Sequence, residues 1–289
     1  MRIPRYWAQG RCEYTAADGR PEEFACWGWS NNNREEAAER GLQRAEKAVE
    51  QLLRGDLPDR YLYSDRPLRE EIVQEFTDND GELQAAITRN GYGCHVLNTA
   101  RLPFIDRDAP RPNPVAEIVR FLRSLFGRAK APSPWDLEAG DRREELVSVL
   151  ERYGYDGVRL YRTKAGERYL LTGTLLDPTA TNTFNLMEDL GSDPVYQKLC
   201  RVQECFRARL TPKPWRCGVA QPPVRFPWKT EQDQQKHRRW EEAYFQRADR
   251  YATCQFVEHL GDSSMSDDVR ALVELHDELT RANADLPLA

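Results

Sequence analysis

No apolar run in this 289-residue chain approaches the ~18–20 residues that a membrane-crossing helix needs. The N-terminal stretch MRIPRYWAQGRCEY has no apolar core and no small-residue cleavage site, so it does not read as an export signal. A nucleophile elbow, a P-loop, a dinucleotide-binding glycine fingerprint and any internal repeat are all missing. Gly91-Tyr92-Gly93 is a turn signal rather than a phosphate cradle.

The seven cysteines, Cys12, Cys26, Cys94, Cys200, Cys205, Cys217 and Cys254, are odd in number and irregular in spacing. Without an export signal they read as free buried thiols in a reducing cytoplasm. A zinc set of Cys200, Cys205 and Cys217, completed by Cys254 or His95, lacks the usual pairs separated by two residues.

Charge is nearly balanced, with 42 basic and 47 acidic residues and a net −5. Such a total neither implies nor excludes nucleic acid, because a local basic face decides that. The chain is 40% hydrophobic, 31% charged and 10% aromatic, the composition of a folded globular protein. Its length suits one large domain or two small ones. We read a single α+β domain over 1–260 and a C-terminal helix over 261–289.

Patterning gives the elements. Pro4–Tyr14 and Glu23–Ser30 form a hairpin around Asp18-Gly19. Asn33 caps a helix whose apolar residues run from Ala37 to Leu53, and Gly55 stops it. A short helix is expected near Pro67. Leu83–Asn90 and Gly93–Asp106 read as a hairpin whose second strand carries Asp106. Pro114 opens a helix through Phe126, 127–140 is a loop, and Arg142–Tyr153 is helical. Val158–Thr172 is another hairpin. Phe184–Gly191 and Pro194–Cys205 are helical, Phe206–Leu210 is a strand, and the five prolines of 211–230 make that stretch irregular. Helix Gln232–Arg250, strand Tyr251–His259 and helix Asp267–Ala284 complete the chain. Frequent hairpins point to a mainly antiparallel or mixed sheet with packed helices.

Three constellations could carry chemistry. Leu102-Pro103-Phe104-Ile105-Asp106-Arg107-Asp108 is an apolar strand ending in two acids, and residues two apart on a strand share a face. Two carboxylates in one spot favour a cation between them. Mg²⁺ or Mn²⁺ suits oxygen ligands and clamps phosphoryl groups. The plainer alternative is a strand end before a proline-rich turn. The hairpin 158–169 gathers Arg159, Arg162, Lys164 and Arg168, and arginine forks fit phosphate oxygens. The segment Cys205–Cys217 interleaves Arg207, Arg209, Lys213 and Arg216 with aromatic and proline residues. Trp215 there could stack on a base. His95 is most simply a satisfied core histidine, and His276-Asp277 a surface pair.

Two of these motifs, in this order, resemble the archaeo-eukaryotic primase and primase-polymerase superfamily. Phe104-Ile105-Asp106-Arg107-Asp108 looks like its acid strand, and Tyr161–Tyr169 takes the place of its second motif. Arg168 stands where that family has histidine, Thr163 near its small hydroxyl residue, and Asp177 is the nearest candidate for a third acid. The resemblance covers 83–180 and implies an RRM-like core and nucleotidyl transfer.

Two readings follow. In the first, a metal-dependent protein handles nucleotides or nucleic acid: Asp106 and Asp108 hold the ion, Arg162 and Arg168 hold phosphates, with Arg159 and Lys164 beside them, and Arg207, Arg209, Lys213 and Arg216 line the substrate path. In the second, a non-catalytic module grips nucleic acid or a protein, and the acids pair with the arginines as structural salt bridges.

Overall fold

A computed structural model describes residues 1–16, 18–55, 66–78, 80–109 and 139–289. The elements begin with β1 (Tyr6–Thr15), β2 (Pro21–Ser30) and α1 (Arg34–Leu53). Strands β3 (Glu71–Thr77), β4 (Leu83–Arg89), β5 (His95–Thr99) and β6 (Phe104–Asp108) follow. Then come α2 (Ala139–Tyr153), β7 (Val158–Thr163), β8 (Gly166–Leu171), α3 (Thr181–Asp189) and α4 (Pro194–Gln203). Strand β9 (Phe206–Arg209), α5 (Glu231–Ala248), β10 (Cys254–Leu260) and α6 (Asp267–Thr280) end the chain. The fold is α+β, and every strand pair in its sheets is antiparallel. No helix among the described residues is long and apolar enough to cross a membrane.

The chain divides into two compact units, 1–100 with 198–251, and 101–197 with 252–289. In the first, α1 lies on the β1–β2 hairpin. Its start is fixed as the sequence suggests: the Asn33 side chain accepts from the Glu36 N–H at 2.8 Å. Glycine sets the distance between the layers. A Cβ on Gly10 would stand 1.9 Å from the Leu42 backbone nitrogen, and one on Gly28 would stand 2.0 Å from the Ala37 carbonyl. The second sheet of this unit runs β3-β4-β5-β9. A buried polar cluster pairs within it. Arg207 forks onto Glu70 at 2.8 and 2.9 Å and reaches Asn98 at 2.6 Å. Thr88 donates to Glu70 at 2.5 Å.

The second unit is one sheet in the order β10-β7-β8-β6. Ion pairs Arg107–Glu145, Arg142–Glu167 and Arg143–Glu258 tie α2 to one face. Helix α6 covers the other, through Val269, Val273, His276 and Thr280.

Two local expectations fail. The segment after Arg66 has no regular secondary structure and leads into β3, with no helix at Pro67. The acid strand is not the hairpin partner of β4. Strand β5 stops at Thr99, the chain turns at 100–103, and β6 begins a strand of the other unit. The turn falls just before Pro103, whose ring removes a ladder donor. Strand β6 is therefore an edge strand. The expected helix from Pro114 and most of the 127–140 loop lie outside the described residues.

Candidate functional site

Register decides which side chains meet. Asp106 opposes Arg168, and Arg168 opposes Tyr161, so the three share a face of the second sheet. Arg168 is 1% exposed, while Asp106 keeps 36% of its side chain in water. The guanidinium forks onto the carboxylate, Nε to Oδ1 at 2.7 Å and Nη2 to Oδ2 at 3.1 Å. Burial alone would lower the Arg168 pKa; the charge and hydrogen bonds of Asp106 outweigh it and raise it.

The network continues into α6. Arg168 Nη1 lies 3.2 Å from His276 Nε2, and His276 Nδ1 lies 3.0 Å from Asp277 Oδ1. A guanidinium only donates, so Nε2 must accept and Nδ1 carries the proton toward Asp277. Asp277 also accepts from Tyr161 Oη at 2.7 Å and from Arg159 Nη2 at 2.6 Å. Burial, reinforced by the Arg168 charge, pushes His276 down to about 4 against the pull of Asp277. Phe104 and Tyr161 close around the imidazole, with ring centroids at 5.1 and 4.9 Å.

Of the expected convergence of Arg162 and Arg168 on the acids, only the Arg168–Asp106 half occurs. Arg162 opposes Glu167, which opposes Arg107, and that row faces the α2 side. Asp108 and Lys164 are exposed. Arg159 is committed to Asp277. Asp177 is exposed and accepts from the Thr179 N–H and hydroxyl ahead of α3. No group of three or more His, Cys, Asp or Glu that could hold a metal occurs among the described residues. That covers both the third-acid idea and the zinc set, and all seven cysteines are free thiols. An ion at Asp106 would have to use lone pairs left over from the Arg168 fork.

Within the first unit the Cys205–Cys217 residues separate. Arg207 is buried in its pair with Glu70, so it does not line a substrate path. Arg209, next on the same strand face, is partly buried. Trp215 is 48% exposed, its ring meets that of Tyr92 edge-on at 5.3 Å, and Lys213 Nζ lies 5.5 Å from its centroid. Arg216 follows on the same 3₁₀ turn.

The sequence reading missed His276-Asp277, which is 0% and 8% exposed rather than a surface pair. The signal was present. His276 follows Val269 and Val273 by seven and three positions, the spacing of one buried helix face. Comparison with protein-family models, with curated proteins and with solved structures found no significant match.

Proposed function

We propose that this chain is a non-catalytic nucleic-acid-binding module in which Asp106 and Arg168 form a structural ion pair. The observation that carries the reading is the open aromatic pair of Tyr92 and Trp215, 45% and 48% exposed, beside Lys213 and Arg216. Trp215 is the most exposed tryptophan among the described residues. A π-face in water next to cations suits a stacked base with its phosphates, and stacking tolerates any base. The Asp106 fork supports the non-catalytic half, because a carboxylate already shared by a buried guanidinium has less to offer a metal. Seven free thiols fit a cytoplasmic setting.

The test is fluorescence anisotropy of a labelled single-stranded oligonucleotide. Trp215→Ala is expected to weaken binding about tenfold, from the ~1–3 kcal/mol of one stacked base. Lys213→Gln with Arg216→Gln is expected to flatten the salt dependence. Unchanged affinity in both variants would refute the reading.

A further inference from the structure

A second feature of the first unit involves other residues. Strand β2 alternates Trp27, Gly28 and Trp29, and Trp29 pairs in register with Trp7. The three tryptophans help line a pocket of about 430 Å³ with Arg44, Arg66, Arg69 and Lys198. No Asp or Glu lines it among the described residues.

Two of the cations stand over tryptophan rings. The Arg44 guanidinium lies 4.5 Å above the Trp29 ring, and that of Arg69 lies 4.4 Å above Trp27. Stacking uses the flat face of a guanidinium and leaves its in-plane N–H groups for other acceptors. Arg44 Nε is buried and has no hydrogen-bond partner. The Gln203 side chain, 1% exposed, anchors the segment carrying Arg66: its Oε1 accepts from the Leu68 N–H at 2.9 Å, and its Nε2 donates to the Arg66 carbonyl at 3.2 Å. Burial and the neighbouring Arg66 lower the Arg44 pKa, and burial and Arg225 lower that of Arg69. Like charges have thus been gathered at a cost to the fold, in a place with room for a ligand.

We infer that this pocket binds a small phosphate ester carrying a planar ring, of the size of a mononucleotide. Four cations around one cavity outnumber what a single carboxylate can neutralise and suit a phosphate dianion. The tryptophans supply an apolar wall for the ring. The volume falls within the ~300–1,000 Å³ range of small-molecule sites. Nothing in this inference depends on the Trp215 surface, and either can fail alone.

The experiment is calorimetric titration of the whole chain with AMP, adenosine and inorganic pyrophosphate, followed also by tryptophan fluorescence. AMP is expected to bind, with adenosine and pyrophosphate each weaker by about tenfold, since each lacks one half of the recognition. Arg44→Gln and Arg69→Gln are each expected to weaken AMP about tenfold or more while leaving the melting temperature equal or higher, because each removes a repelled cation. Arg69→Gln serves if Arg44→Gln does not fold. Absence of AMP binding at millimolar concentration would overturn the assignment. So would equal affinity in wild type and in both variants, or pyrophosphate binding as tightly as AMP.

Discussion

Arg168 Nη1 and His276 Nε2 lie 3.2 Å apart in the interior of the second unit, a donor-only cation against an imidazole that must stay neutral to receive it. That contact makes the fold sensitive to pH. His276 titrates near 4 when folded, against 6.5 for an ordinary histidine. Below 6.5 the unfolded chain takes up a proton that the folded chain refuses, so protonation favours unfolding. The contribution is complete above 6.5, falls as pH drops toward 4, and changes no further below that. The slope is at most ~1.4 kcal/mol per pH unit for one proton. The ionisable groups facing the ring are Arg168, Asp106, Cys254, Asp277 and Tyr161. Urea unfolding across this window should show the loss in wild type. His276→Gln should be less stable at neutral pH and flatter in its pH profile. His237 is shifted in the same direction, so the difference between the two proteins is the quantity to measure.

The Asp106–Arg168 pair should respond unequally to losing either member. Asp106→Asn leaves a fully buried guanidinium without its counter-charge and is expected to cost about 3 kcal/mol. Arg168→Met leaves a carboxylate that is already one-third in water and can hydrate, so its cost should be smaller. Chemical denaturation of the two variants measures the asymmetry; equal losses would mean that the burial difference has no energetic weight.

Glycine substitutions should invert a familiar sign. In a helix interior Gly→Ala ordinarily stabilises by ~1 kcal/mol. At Gly41 the new Cβ would lie 2.5 Å from the Gly10 backbone nitrogen, so Gly41→Ala should destabilise by roughly 1–3 kcal/mol, the range of overpacked sites. Gly91→Ala, with nothing within 4 Å and no positive φ, should be close to neutral. Thermal unfolding of the two variants separates these outcomes.

Much of the fold was legible because its signals are local. Asn33, Asp18-Gly19 and the 158–171 hairpin each specify their element within a few residues. The identity of the strand next to Asp106 was not, since pairing is a long-range choice: Asp106 meets Arg168 across 62 positions. The alternative in which the acids pair with the hairpin arginines did name that partner. Arg162 was miscast because one step along β7 moves a side chain to the other face, and only the register reveals which. The Trp27 and Trp29 pocket drew no notice, since alternating tryptophans on a strand look like ordinary core until Arg44, Arg69 and Lys198 arrive from elsewhere in the chain.

The most direct test of the account compares anisotropy of the labelled oligonucleotide in EDTA and in Mn²⁺, for wild type and Asp106→Asn at a temperature where both are folded. The expected result is equal binding with and without metal, retained in Asp106→Asn. Binding that requires Mn²⁺ and disappears in Asp106→Asn would contradict the account and return the acid pair to a metal-dependent site.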